Sequence, residues 1–221
     1  MNQFDPCLSI LPEPQKVLWP ELKQTPADFV LYGGTALALR LGHRQSIDFD
    51  FFSNQAFDPD LLYDQIPYLD GAEVLRKDQS TLTCLVYREQ APVMVSFFGL
   101  PKLGLISEPD LTADDVIKVA AMIDLAGTKA SVVQKRAAWK DYVDIQAILS
   151  QTDISLETAL AAGAVLYGPK FDAHVSLKAL SYFDDGDLLE LSQDTKDYLL
   201  DAVSRVDLSA IPKLSFLRAA S

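Results

Sequence analysis

The chain has 221 residues, 49% of them hydrophobic, enough for one domain or two small ones with a buried core. Its 19 lysines and arginines face 31 acids, and the resulting charge of −12 disfavours non-specific nucleic-acid binding, so any such contact needs a local basic patch. Cys7 and Cys84 are too few for a disulfide framework or a zinc site, no window has the length of a membrane-spanning helix, and the N-terminus lacks the pattern of a signal peptide; a cytoplasmic protein with no membrane partner is expected.

In chain order, the prolines at 6, 12, 14, 20 and 26 restrict residues 1–28 to a lead-in with one short helix over about 14–22. Phe29-Val30-Leu31-Tyr32 reads as a buried strand, Gly33-Gly34 as a sharp turn, and Thr35 as the cap of a helix that runs through Ala36–Leu39 to near Gly42. Unpaired N–H groups at such a helix start favour an anion, so a phosphate could rest on Gly33, Gly34 and Thr35. Ile47-Asp48-Phe49-Asp50-Phe51 then alternates, which places both carboxylates on one strand face and Ile47, Phe49 and Phe51 on the other. Two carboxylates beside an anion cradle suit Mg²⁺, which takes one or two carboxylates plus substrate phosphate oxygens. The competing reading is a structural acid pair, although like charges on one strand face repel.

Asp58-Pro59-Asp60 starts a helix to about Ile66, and strands follow at about 72–77, 81–88 and 93–98. Past Gly99 the pattern changes. Thr112 with Asp115 resembles an N-terminal helix box, and helical periodicity runs over about 113–136, 139–150, 155–166, 172–182, 186–191 and 194–205. The class expected is α+β, a small mixed β-sheet core over 1–105 with its Pro-rich lead-in, then a helical half over 106–221 that completes a cleft. On a continuous helix Lys129, Arg136, Lys140 and Asp144 would share a face; Arg136 and Lys140 would repel at i,i+4 unless an anion lay between them, and a surface pair of Lys140 with Asp144 is the simpler alternative. His43 and His174 read as surface residues, with no metal-ligand spacing around them.

Two stretches carry a family resemblance. Leu31-Tyr32-Gly33-Gly34-Thr35-Ala36-Leu37-Ala38-Leu39-Arg40-Leu41-Gly42-His43-Arg44-Gln45-Ser46-Ile47-Asp48-Phe49-Asp50-Phe51-Phe52 is one, and Asp124–Lys129 followed by Arg136 and Lys140-Asp141-Tyr142-Val143-Asp144-Ile145 is the other. Both resemble signature blocks of AbiEii/AbiGii-type minimal nucleotidyltransferases, a branch of the polymerase-β-like nucleotidyltransferases, over about Phe29 to Leu149. The resemblance implies a nucleotidyltransferase core that moves a nucleoside monophosphate from an NTP to an acceptor with Mg²⁺. It implies Asp48 and Asp50 as catalytic metal ligands and Lys129 as the catalytic cation on the triphosphate and its leaving pyrophosphate. Gly33, Gly34 and Thr35 would cradle phosphates, and Arg44, Arg136, Lys140 and Asp141 would line the nucleotide pocket. A toxin–antitoxin or phage-defence role follows, with a cognate antitoxin and, in some members, tRNA as acceptor.

The chain departs from that pattern at one place. Many relatives put a third carboxylate before paired aromatics, a position that falls in Pro92–Phe98 and is occupied by Ser96. A general base typically contributes about 10²–10⁴-fold, so its loss would slow the reaction without abolishing it. Two readings stay open beside the leading one: nucleotidylation of a cationic small molecule, which an acidic surface would attract, and a nucleotide- or partner-binding protein without catalysis.

Overall fold

The computed structural model describes residues 2–217, which form two compact units: 2–104 with 108–121, and 105–107 with 122–217. The first unit holds an eight-stranded mixed sheet. It opens with β1 (Gln3–Phe4), then α1 (Glu13–Leu18) running into a 3-10 stretch (Trp19–Gln24). Next come β2 (Val30–Tyr32), α2 (Gly33–Leu41), β3 (Asp48–Ser53) and α3 (Pro59–Gln65). The meander β4 (Glu73–Asp78), β5 (Thr81–Arg88), β6 (Ala91–Gly99) follows, and β7 (Asp110–Thr112) with β8 (Lys118–Val119) ends the unit. The spatial order is β1-β7-β8-β2-β3-β6-β5-β4, which makes β3 an interior strand.

Sheet register follows from the alternation of side chains. β3 and β6 pair in parallel, with Phe49 opposite Val95, Asp50 opposite Ser96 and Phe51 opposite Phe97. Phe49, Phe51, Val95 and Phe97 are fully buried on one face, where Phe51 stacks on Phe97 at 5.5 Å and Trp19 lies 6.4 Å from Phe49. Asp48, Asp50 and Phe52 point to the other face and are half-buried. α2 ends where Gly42 adopts a left-handed conformation, φ 64°, and its N–H returns to the Ala38 carbonyl. Arg40 locks this helix down: its guanidinium bonds Asp110 at 2.8 Å and the carbonyls of Val119 and Ala120, and it lies over the Phe4 ring.

The second unit contains α4 (Met122–Val132), α5 (Trp139–Gln151), α6 (Leu156–Tyr167), α7 (Ala173–Ala179) and α8 (Gln193–Ser204). Side chains of Ser155, Asp172 and Ser192 cap α6, α7 and α8. α4 and α6 cross closely because Gly127 has no side chain; a Cβ there would stand 2.7 Å from the backbone carbon of Ala162.

Several expectations are corrected. The helix expected from 113 starts only at Met122, because 110–119 forms the β7–β8 hairpin. Thr112 does use its hydroxyl as a cap acceptor, but the N–H groups of Val116 and Ile117 that donate to it belong to a turn in which Asp115 has φ +56°. Ile47 lies outside β3 and is 57% exposed, so it does not share the buried face of Phe49 and Phe51. Among the described residues, no helix is long and apolar enough to cross a membrane.

Replacing Arg40 by Met removes its bonds to two carbonyls and leaves Asp110, itself mostly covered, without its cation. The expected cost is about 2–4 kcal/mol, read from the midpoint of urea unfolding.

Candidate functional site

Gly33 opens α2 with φ +76°, a conformation glycine adopts without strain. It also sits against the strand: a Cβ there would be 3.0 Å from Asp50 Oδ2. At Gly34 a Cβ would meet the Arg44 guanidinium at 2.3 Å and Ser46 Oγ at 3.4 Å. The glycine turn, Arg44, Ser46 and the acid-bearing strand therefore converge within the first unit. The first N–H groups of α2 have no partners within the helix and carry its positive dipole end.

Thr35 does not cap this helix as expected. The cap position is Tyr32, whose side chain does not bond the helix's first N–H groups, and Thr35 is buried inside the first turn. Its hydroxyl turns to the neighbouring segment, where it donates to the Asp48 carbonyl and lies 2.7 Å from Ser46 Oγ. Ser46 was not singled out in the sequence; its signal is its place in the tight connection before the acid strand. The approach to that strand is held from the lead-in as well, since Gln15, itself buried, donates to the Ile47 carbonyl at 2.8 Å.

Ser96 stands opposite Asp50 in the β3–β6 ladder, on the same face. It is buried, and the Thr83 hydroxyl on β5 reaches it at 3.4 Å.

The second unit gathers the other candidate residues differently from the shared-helix expectation. Lys129 lies on α4, Arg136 in the connection after it, and Lys140, Asp141 and Asp144 on α5. Lys129 is 5% exposed, and its Nζ pairs with Asp141 at 2.7 Å and Asp144 at 2.6 Å; both carboxylates are fully buried. Arg136 Nε adds a bond to the second Asp141 oxygen at 2.7 Å, and its Nη2 reaches the first at 3.2 Å. Arg136 thus pairs with an acid five residues on, and Asp144 is buried against Lys129 rather than on the surface, while Lys140 is exposed. Beside Arg136 lies a cleft of about 200 Å³, lined also by Lys135, Tyr142, Tyr182, Asp185 and Leu188.

Burial alone would push the Asp141 carboxyl upward, but Arg136 and Lys129 outweigh it and hold the group below the usual carboxylate range. Asp124 goes the other way. Its burial raises it despite the Ile106 and Ser107 amides that donate to it at 2.9 and 3.0 Å.

The profile for the AbiEii nucleotidyltransferase toxin, of the type IV toxin–antitoxin system, matches residues 21–210. The chain belongs to this family. It is 31% identical over 173 residues to the uncharacterised protein aq_aa25 of Aquifex aeolicus strain VF5, a match covering 77% of this chain and 81% of the relative. Its fold is similar to that of the nucleotidyltransferase toxin MenT4 (Rv2826c) of Mycobacterium tuberculosis H37Rv, with a TM-score of 0.58 at 17% identity over 88% of this chain and 83% of that one. A putative nucleotidyltransferase from H. pylori gives a TM-score of 0.54 at 17% identity, over 86% and 91% of the two chains. The chain is thus a nucleotidyltransferase of the toxin–antitoxin type, with the mixed-sheet α/β architecture of such toxins.

Asp141, depressed in the folded state, stabilises the helical unit above about pH 4, and that contribution is lost as pH falls through its lowered value. Asp124, raised, has the opposite sign, and its penalty lifts on acidification. Arg136→Ala removes one cause of the Asp141 depression, so it should cost more stability at about pH 7 than at about pH 3. Urea unfolding of the native chain and the variant at both pH values checks this; an equal cost at both would contradict it.

Proposed function

We propose that this nucleotidyltransferase moves a nucleoside monophosphate from an NTP to an acceptor, with Mg²⁺ held by Asp48 and Asp50. The observation that carries the reading is the placement of both carboxylates on one face of β3 with the Gly33 turn against Asp50. The donor set fits the cation. Two carboxylates supply hard oxygens, no cluster of three or more His, Cys, Asp or Glu suited to a metal occurs among the described residues, and Mg²⁺ habitually takes its remaining ligands from water and substrate phosphates. When bound, Mg²⁺ would neutralise and orient the phosphates.

The chain's own groups do the rest. Gly33 and Gly34 offer backbone N–H groups to the phosphates, and Arg44 brings positive charge beside Gly34. In the helical unit, Arg136 and Lys140 are exposed cations, and Asp141 orients Arg136 through two bonds.

We place the third carboxylate position of polymerase-β-like enzymes at Ser96, on the strength of its register with Asp50. A hydroxyl is not a base at neutral pH, so native turnover should be slow. The same serine favours the second reading, a nucleotide-binding protein that no longer turns over. The proposed acceptor is an RNA, tRNA first, for which Lys135, Arg136 and Lys140 supply exposed positive charge on an otherwise acidic chain. A cognate antitoxin is the proposed protein partner, in keeping with the family's toxin–antitoxin type.

Purified protein is incubated with each labelled NTP, Mg²⁺ and total RNA. A weakly labelled RNA band is expected, lost when Asp48 and Asp50 are both replaced by Asn with the fold intact, and stronger with Ser96→Asp by up to about 10²-fold. Label retained in the double Asn variant would remove both residues as metal ligands. Nucleotide binding without label from native protein or Ser96→Asp would favour the non-catalytic reading.

A further inference from the structure

We propose that Thr35 is a positioning residue: its hydroxyl fastens the first turn of α2 to the backbone of Asp48 and so sets the offset between the glycine turn and the acid pair. The proposal rests on the metal-and-phosphate reading of that site.

A threonine in the first turn of a helix next to a glycine anion cradle has two ordinary uses. It can cap the helix, or it can donate its hydroxyl to the bound anion. Neither is available here. The cap position is Tyr32, and Thr35 is 2% exposed with its Oγ1 turned to the Asp48 carbonyl and Ser46 Oγ. A hydroxyl has one proton, and a carbonyl oxygen can only accept. The one proton of Thr35 goes to the Asp48 carbonyl, the Ser46 hydroxyl is left to donate to Thr35 Oγ1, and none remains for a phosphate. Contact with phosphate then falls to backbone N–H groups at the start of α2.

The β2–β3 ladder, with Tyr32 opposite Asp50, brings the chain to the glycine turn beside the acid strand. The Thr35 bond adds a second tie one turn on, between α2 and the Asp48 carbonyl, and so bears on the direction in which the helix leaves that turn. The bond reaches the strand at Asp48 itself, one of the two acids. Contacts that a slip would disturb lie beside it: Asp50 Oδ2 against Gly33 and Ser46 Oγ against Gly34, at 3.0 and 3.4 Å from where a Cβ would stand. Misplacement of a reacting geometry by about 1 Å can cost 10²-fold in rate, so a single hydroxyl at this joint has leverage on the site.

The test titrates the full chain with Mn²⁺ alone, followed by electron paramagnetic resonance, and measures NTP kinetics beside it. Thr35→Val keeps the shape and removes the hydroxyl. It should weaken Mn²⁺ by about 10-fold or more, as loss of an outer-shell partner typically does, and lower kcat for transfer more than it raises KM for the NTP. Thr35→Ser, which keeps the donor, should restore Mn²⁺ affinity. Thr25→Val, which removes the 2.7 Å bond to Tyr68 in the same unit, serves as a stability control and should leave Mn²⁺ affinity unchanged. If Thr35→Val does not fold, Thr35→Ala takes its place with the same expected loss. Native affinity in the folded variant, or an equal loss in Thr25→Val, overturns the clamp while the metal site stands. Native protein with no Mn²⁺ binding dependent on Asp48 and Asp50 overturns the metal reading, and the clamp with it.

Discussion

The parallel ladder between β3 and β6 is the constraint on which the candidate site depends. Side chains alternate along a strand, so a one-residue slip of β3 would turn Asp48 and Asp50 into the layer that Phe49 and Phe51 fill beside Val95 and Phe97, and Phe49 and Phe51 would go to the acid face. Charged groups left unpaired in such a layer would cost several kcal/mol each, which is why the register has one solution. The aromatic side thus specifies where the acids point. Everything else at the site is arranged around that fixed strand: the Gly33 turn against Asp50, Ser96 at its level, and the Thr35 hydroxyl on the Asp48 carbonyl.

In the helical unit, Asp141 and Asp144 are fully covered and are balanced internally, by Lys129 between them and by Arg136 on Asp141. Removing one partner from such a group is costly because the remaining charge stays buried, so the cluster holds α4 to α5 with defined geometry. In the sheet unit the two acids are only half-buried, on a face that also carries Ser96 and Thr83. A pair of like charges two residues apart on one strand face is unfavourable by itself. A divalent cation bound there would add opposite charge beside both acids, which supports the proposed metal role.

Much of this was legible in the sequence where local pattern and tertiary structure agree. Thr81–Arg88 matches its expected bounds and the helix start at Asp58 falls where turn chemistry puts it, whereas α2 opens on Gly33 rather than after Thr35 and the acid strand runs Asp48–Ser53 without Ile47. The hairpin at 110–119 was not legible. Its strands have two or three residues each and owe their existence to partners far away in the chain, Gln3 and Phe4 for β7 and Leu31 for β8. Thr112 and Asp115 also imitate a helix start, because the same hydroxyl-to-amide bonding serves a tight turn. Thr35 misled for a related reason: a hydroxyl after two glycines has a local use as a cap, and only the fold shows it crossing to Asp48. Likewise the charges of Lys129, Arg136 and Asp144 were visible, but their partners depend on how α4 and α5 meet.

The central claim is that Asp48 and Asp50 hold a divalent cation beside phosphates seated on the Gly33–Gly34 turn. Crystals grown with Mn²⁺ and a non-hydrolysable NTP analogue test it most directly, through the anomalous scattering of the ion. The account expects an anomalous peak within coordinating distance of both carboxylates, with phosphate oxygens completing its shell and the backbone N–H groups of Gly33 and Gly34 facing the triphosphate. An ordered analogue whose phosphates and Mn²⁺ lie away from β3, with Asp48 and Asp50 taking no part, would contradict it.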